Sequence, residues 1–287
     1  MLSCSFACAM HGVEGLIVRV ETTAWAATPA LTIIGLPDRS LKESGDRVRS
    51  ALSSSGFMQP AGHLLVSLSP ADVRKEGPAF DLPIALALLA LGEHVPRAPL
   101  ERCVMLGELA LDGSLRAVTG TLPMLIAAKR ANIPMAIVPS ANRAEAALIP
   151  DVETYAVPTL ADAVAVVLGN GAKFRVSGPP PDHTGTGPGG DDFADVRGQI
   201  VAKRALEIAA AGGHNVILVG PPGCGKTMLA RRMPSILPPM TADESLDVTA
   251  IYSIAGLLGG EPHIMHRRPF RSPHHTSSRI ALVGGGV

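Results

Sequence analysis

The stretch Gly220-Pro221-Pro222-Gly223-Cys224-Gly225-Lys226-Thr227 constrains this chain more than any other. It satisfies G-x-x-x-x-G-K-[ST] at every fixed position. Such a loop is meaningful between an incoming strand and an outgoing helix. Residues 215–219, Asn-Val-Ile-Leu-Val, form a short apolar run of strand type, and residues 228–233 read as the start of a helix.

The residue types fit one chemistry. A polyphosphate needs several N–H donors converging on it, and side chains on the loop would block their approach. Glycine at 220, 223 and 225 lets the backbone curl around the anion. The helix that follows aims its free N–H groups and positive dipole end at the same point. Lys226 is placed to reach the β- and γ-phosphates, and the Thr227 hydroxyl to ligate Mg²⁺. The expected ligands are therefore ATP and Mg²⁺, with residues 220–227 as the binding loop. Cys224 occupies a variable position of the pattern and reads as a small filler.

At 287 residues the chain has room for about two domains of roughly 150 residues each. Hydrophobic residues make up 47%, but aromatics only 3%, so the cores must be built from Ala, Val, Leu and Ile. Lys plus Arg equals Asp plus Glu, 25 each. Global charge therefore favours neither nucleic acid nor membrane, and only local patches can. Cysteines at 4, 8, 103 and 224 form no paired framework, which points to a reducing cytosol. Cys4 and Cys8, four apart, leave open a structural zinc site with ligands from elsewhere. The N-terminus has no signal-peptide pattern, and the longest apolar run, residues 83–91, is too short to span a bilayer.

Along the first half, residues 16–20 and 31–34 read as strands, and residues 40–53 as a helix. Arg39, Lys42, Arg47 and Arg49 give that helix a basic side, expected to be a solvated face. Residues 64–68 and 103–109 read as strands, 83–91 as an apolar helix, and Asp112-Gly113 as a hairpin turn. A helix over 121–130 tolerates Pro123 in its first turn. Residues 136–139 form a strand, and 141–148 and 160–168 short helices.

Residues 177–190, SGPPPDHTGTGPGG, break the pattern with Pro and Gly and read as a flexible linker. Beyond it a helix should carry Ile200, Ala202, Ala205, Leu206, Ile208 and Ala209 on one broad buried side and end at Gly212-Gly213. Thr241 with Glu244 forms a capping-box pattern ahead of a helix with Leu246, Val248 and Ile251 on its periodic side. Residues 262–287 carry Arg267, Arg268, Arg271 and Arg279 with no acidic residue, and His263, His266, His274 and His275. That composition admits a phosphate-contacting segment, a metal site or a structural loop.

Several of these stretches together resemble a known family. Asp195-Val196-Arg197-Gly198-Gln199 followed by Ala202-Lys203-Arg204-Ala205-Leu206 resembles the helix ahead of the phosphate loop in AAA+ ATPases. Ala211-Gly212-Gly213-His214-Asn215, the loop with Met228-Leu229-Ala230-Arg231-Arg232, and Arg267-Arg268-Pro269-Phe270-Arg271-Ser272-Pro273-His274-His275-Thr276 resemble the magnesium-chelatase-like YifB/ComM family. So do Gly35-Leu36-Pro37 with Lys42-Glu43-Ser44, and Lys75-Glu76-Gly77 with Phe80-Asp81-Leu82-Pro83. The resemblance covers nearly the whole chain.

It implies an α+β, Lon-protease-like N-terminal domain over residues 1–176, the linker 177–190, and an incomplete α/β P-loop NTPase (AAA+) domain over 191–287. Lon proteases carry a nucleophilic Ser in Gly-Pro-Ser-Ala-Gly and a Lys on a later helix. The Gly-Pro pair matches Gly77-Pro78, so the nucleophile position falls on Ala79 and the Lys position near Met124. Neither can perform acyl transfer. Ser67, Ser69 and Lys75 are the remaining candidates for a rewired dyad. The family further implies a cytoplasmic homo-hexameric motor acting as a DNA helicase on branched or single-stranded DNA, with Arg267, Arg268 and Arg271 as possible DNA contacts. Two other readings stay open: a chelatase subunit driving metal insertion into a porphyrin, and a Lon-like peptide-handling protein.

A complete motor also needs an apolar strand ending in Asp-Glu, to hold Mg²⁺ and orient water. Asp243-Glu244 follows no strand-like run, and no other Asp-Glu pair occurs after the loop. The expectation is the N-terminal portion of a longer ATPase, with no catalytic residue within these 287 positions.

Overall fold

A computed structural model of the chain describes residues 2–177, 191–258, 263–274, 276–278 and 280. The chain divides into two compact units, Met1–Asp182 with Asp247–Ile264, and His183–Leu246 with Met265–Val287. Most of the linker stretch, residues 178–190, lies outside the described residues, as do His275 and Arg279.

The first unit is a mixed α/β fold. Its strands are β1 (Leu2–His11), β2 (Glu14–Trp25), β3 (Ala30–Ile34), β4 (His63–Ser69), β5 (Cys103–Met105), β6 (Glu108–Leu109), β7 (Leu115–Arg116), β8 (Met135–Pro139) and β9 (Glu153–Val157). Between and after them come the helices α1 (Arg39–Ser54), α2 (Asp81–Leu91), α3 (Arg97–Leu100), α4 (Thr121–Arg130), α5 (Arg143–Ala146) and α6 (Leu160–Val167). Seven strands form one sheet in the order β3-β4-β2-β1-β5-β8-β9. β2 pairs antiparallel with β1 and β4, and every other neighbour is parallel, so the sheet is mostly parallel. β6 and β7 make a separate hairpin whose turn is Asp112-Gly113, with Gly113 in the left-handed region.

The two sheet faces are filled by different helices, and the side-chain alternation of β1 and β2 shows why. Ser5, Val20 and Thr22 face α2; Ser5 donates to the carbonyl of Pro83 and Thr22 to that of Ala87. Beyond Asp81 at its start α2 is apolar all round, and it is wholly buried, as such a helix must be. On the opposite face Cys8 and Gly15 meet α4. A Cβ at Gly15 would lie 2.7 Å from the Pro123 carbonyl oxygen and 2.9 Å from Ala127 Cβ, so the helix approaches as closely as glycine permits. Gly15→Ala therefore drives a methyl group into the backbone of α4. The expected loss is about 1–3 kcal/mol in a urea melt, the usual cost of overpacking; an unchanged midpoint would show that α4 can give way.

Two strands, β1 and β9, lie where the sequence signals none. β1 hides behind small residues, Ser, Cys and Ala, that carry little strand signature. The 103–109 run is two strands, not one. The chain turns at Leu106-Gly107, where Leu106 N–H bonds to Ile137 and Gly107 N–H to Ala79. The 83–91 helix starts earlier, at Asp81, and 141–148 is a 3₁₀ turn followed by the single turn of α5.

The basic side of α1 is not wholly solvated. Arg47 turns inward to Asp81, with Nε 2.7 Å from Oδ2 and a terminal nitrogen 3.0 Å from Oδ1. Ser44 donates to the same carboxylate at 2.5 Å and the Leu109 N–H at 3.1 Å. Asp81 is fully buried; burial pushes its carboxyl above the ordinary range, while Arg47 and Ser44 pull it down. The node joins α1, the first turn of α2 and the β6–β7 hairpin.

The second unit contains α7 (Ile200–Gly212), α8 (Lys226–Arg232) and the start of α9 (Ala242–Ile254). Among its described residues there is no strand: residues 214–220 run without a ladder partner. This corrects the strand expected at 215–219. A strand exists through its neighbours' hydrogen bonds, and none of the described residues of this unit supplies one.

Candidate nucleotide-binding loop

A small apolar core fixes the loop. Phe193, Val196, Leu206 and Leu229 are buried together, with Leu218, Met233 and Ile236 packed against them. The turn before α7 is held by a capping box between Asp192 and Asp195, and by the Phe193 N–H on the Ser235 hydroxyl at 2.9 Å. α7 buries Leu206, Ala209 and Ala210, whereas Ile200, Ala205 and Ile208, expected on its inner side, are exposed. The helix is apolar on two sides, so periodicity alone could not choose between them. Gly213 ends it in the left-handed conformation.

The loop takes the curled form that its glycines allow. Gly223 (φ 81°) and Gly225 (φ 89°) both lie in the left-handed region, where a side chain would cost energy. A Cβ at Gly220 would lie 2.9 Å from Cys224 Sγ. α8 begins directly at Lys226. The Lys226 ammonium folds back over the loop, 2.7 Å from the Gly220 carbonyl and 2.8 Å from that of Pro221. It thus sits at the mouth that a phosphate chain would enter, held by acceptors it can exchange. Pro221, Pro222 and Thr227 are exposed, and Thr227 is the second residue of the helix. The residues present fit a polyphosphate with its divalent ion: curled backbone, a cation at the mouth and a hydroxyl beside it. At the far end of α8, Arg232 pairs with Asp191 at 3.3 Å.

Other expected site residues divide. Arg268 is engaged within its own unit, donating to the Pro238 carbonyl at 2.9 Å and to Glu244 at 2.8 Å. Glu244 also accepts the Thr241 N–H, and the Glu244 N–H bonds to the Thr241 hydroxyl, so the expected capping box forms. Those donors hold the Glu244 carboxyl below its ordinary range. Arg268 therefore braces the entry of α9. Arg267 is half-buried and Arg271 exposed. The buried side of α9 is Ser245, Thr249, Ala250 and Ser253 rather than Leu246, Val248 and Ile251.

No cluster of three or more His, Cys, Asp or Glu suited to a metal occurs among the described residues. Cys4 and Cys8 share one face of β1, four positions apart. At roughly 3.4 Å per residue their Cα atoms are about 14 Å apart, too far to share an ion. Ala79 and Met124 are both buried in the first unit. Lys75 is buried with its ammonium on the carbonyls of Pro70 and Val73, and not on a serine hydroxyl; burial lowers its pKa. No helix among the described residues is long and apolar enough to cross a membrane.

Two family models match separate stretches of the chain. The model of magnesium chelatase, subunit ChlI, matches residues 192–287, and that of subunit ChlI of Mg-chelatase matches residues 20–142. The competence protein ComM of Haemophilus influenzae is 41% identical over 284 residues, covering 97% of this chain and 55% of that protein. The uncharacterised protein YifB of Escherichia coli is 41% identical over 276 residues, 96% of this chain and 54% of its own length. The chain belongs to the magnesium-chelatase-like YifB/ComM family. An uncharacterised protein of Mycobacterium tuberculosis is 43% identical over 283 residues, 98% of this chain and 56% of that protein. The chain thus spans about half the length of the curated relatives it matches. A Lon protease of Salinispora arenicola is 34% identical over 169 residues, a partial likeness covering 56% of this chain and 21% of that enzyme.

Proposed function

We propose that the chain binds ATP with Mg²⁺ through residues 220–227 and supplies the nucleotide-binding half of a AAA+ motor. Lys226 contacts the β- and γ-phosphates and Thr227 the metal ion. The observation that carries this is the loop itself: two left-handed glycines, a helix starting at Lys226, and an ammonium resting on exchangeable carbonyls at the mouth. Bound Mg²⁺ would screen the phosphate charge. The protein's own contribution is the converging N–H groups and Lys226. The experiment that tests it is titration with a fluorescent ATP analogue, comparing the chain with its Lys226→Ala variant.

In the whole protein the motor is proposed to form a homo-hexamer that remodels branched or single-stranded DNA in recombination. Likeness to a competence protein supports this reading. The first unit serves as a Lon-like domain without peptidase chemistry, supported by Ala79 and Met124 at the nucleophile and lysine positions. A second reading, ATP-driven metal insertion into a porphyrin, is favoured by the chelatase family models. Duplex and single-strand binding by the whole protein separates the two. In the DNA reading, Arg267 and Arg271 contact phosphates. Changing both to Ala should lower affinity uniformly across sequences. The salt slope should fall by about 0.7–0.9 for each phosphate no longer neutralised. An unchanged slope would remove them from the interface.

A further inference from the structure

Gln199 is one of four non-glycine residues with positive φ among the described residues, at 54°, directly after Gly198 at 69°. It is the residue from which α7 starts, its carbonyl accepting the Lys203 N–H at 2.8 Å. Asn, Asp, Ser or Thr would cap a helix here, and glycine would take this backbone without strain. A long side chain in the left-handed region costs energy, and such outliers gather at functional sites. A compensating bond is present: Gln199 Nε2 donates to the Cys224 carbonyl oxygen at 3.1 Å.

That carbonyl belongs to the peptide joining Cys224 to Gly225, inside the candidate phosphate loop. A trans peptide plane carries its C=O and N–H on opposite sides. Drawing the Cys224 oxygen toward Gln199 therefore turns the Gly225 N–H the other way. Gly225, in the left-handed region with no Cβ, can swivel about this plane more freely than any other residue type. A loop that binds anions by converging N–H groups loses its shape if one plane flips.

We propose that Gln199 is a positioning residue for the phosphate loop: its amide clamps the 224–225 peptide plane so that the Gly225 N–H faces the polyphosphate. The proposal rests on the ATP reading above and assigns no contact between Gln199 and the nucleotide. Its effect belongs to the phosphates and not to the base.

The test is a titration of the whole chain with a fluorescent ATP analogue, using Gln199→Gly and Gln199→Arg, with Lys226→Ala as reference. Glycine keeps the left-handed backbone at no strain and removes only the amide. The thermal midpoint of Gln199→Gly should hold or rise while its affinity falls about 3- to 10-fold, the worth of one hydrogen bond. Arginine restores a donor and should recover most of the affinity. Competition by inorganic tripolyphosphate, which has no base, should weaken in Gln199→Gly by the same factor. Gln199→Gly binding as tightly as the unaltered chain overturns the clamp alone, as does a loss of affinity with undiminished tripolyphosphate competition. If the unaltered chain shows no binding that depends on Lys226, the ATP reading fails and the clamp falls with it.

Discussion

Replacing Lys226 by Ala is expected to abolish ATP binding while leaving both units folded. The ammonium touches only Gly220, Pro221 and Cys224 of its own loop and takes no part in the Phe193–Leu229 core. Its removal should change the unfolding free energy by no more than about 0.5 kcal/mol, as for a surface substitution away from special features. Binding should suffer far more. A charge-assisted contact to phosphate is about twice as strong as a neutral one, and Lys226 is the loop's only side-chain cation. A fluorescent ATP analogue bound equally well by both proteins would exclude the loop as the site. Turnover is a separate matter. The only Asp-Glu pair after the loop, Asp243-Glu244, lies in the first turn of α9, where Glu244 is committed to Thr241 and Arg268. A carboxylate so engaged is not available to orient water. Phosphate release by residues 1–287 should therefore equal that of the Lys226→Ala variant, with or without DNA; Lys226-dependent release would mean that another carboxylate serves.

The features legible in the sequence were those set by local chemistry. The Asp112-Gly113 turn, the Thr241–Glu244 cap, the Gly213 helix end and the 121–130 helix each depend on a few adjacent residues, and all appear as expected. What escaped depends on residues far away in the chain. β1 is a strand because β2 and β5 flank it; its own Ser, Cys and Ala say little. The 215–219 run has the composition of a strand, yet no described residue pairs with it in a ladder. α7 carries apolar residues on both sides, and only the position of Phe193 and Leu229 selects the side of Leu206 as the buried one. In the site, the glycines and Lys226 could be named from the pattern. Gln199 could not be given a role, because its partner is the backbone of Cys224, 25 positions on. Arg268 looks like its neighbours Arg267 and Arg271 in the sequence, and nothing local announces that Glu244 and Pro238, 24 and 30 positions back, are its partners.

Arg47 shows the same limit with the largest consequence for stability. On α1 it is one of several exposed-looking cations, but its partner Asp81 lies 34 positions on, two residues past Ala79. The Asp81 carboxylate is fully buried and accepts from Arg47, Ser44 and the Leu109 N–H, so most of its acceptor capacity is filled. Arg47→Met removes the cation and leaves the carboxylate in an apolar surround with two neutral donors. Breaking a buried pair from one side costs about 3–5 kcal/mol, because the remaining charge is stranded. Arg47 is itself partly open to solvent, with its side chain 19% exposed, which places the expected loss toward the lower end. Asp81→Leu alone strands Arg47 less severely, since its guanidinium can turn outward to water, but it leaves Ser44 and the Leu109 N–H without their acceptor. The double variant should lose less than the sum of the two, since neither charge then remains to be stranded. The measurement is urea unfolding of the two single variants and the double, followed by the far-ultraviolet signal. Strict additivity would mean that the ion pair contributes nothing of its own, and that the node is held by Ser44 and Leu109 instead.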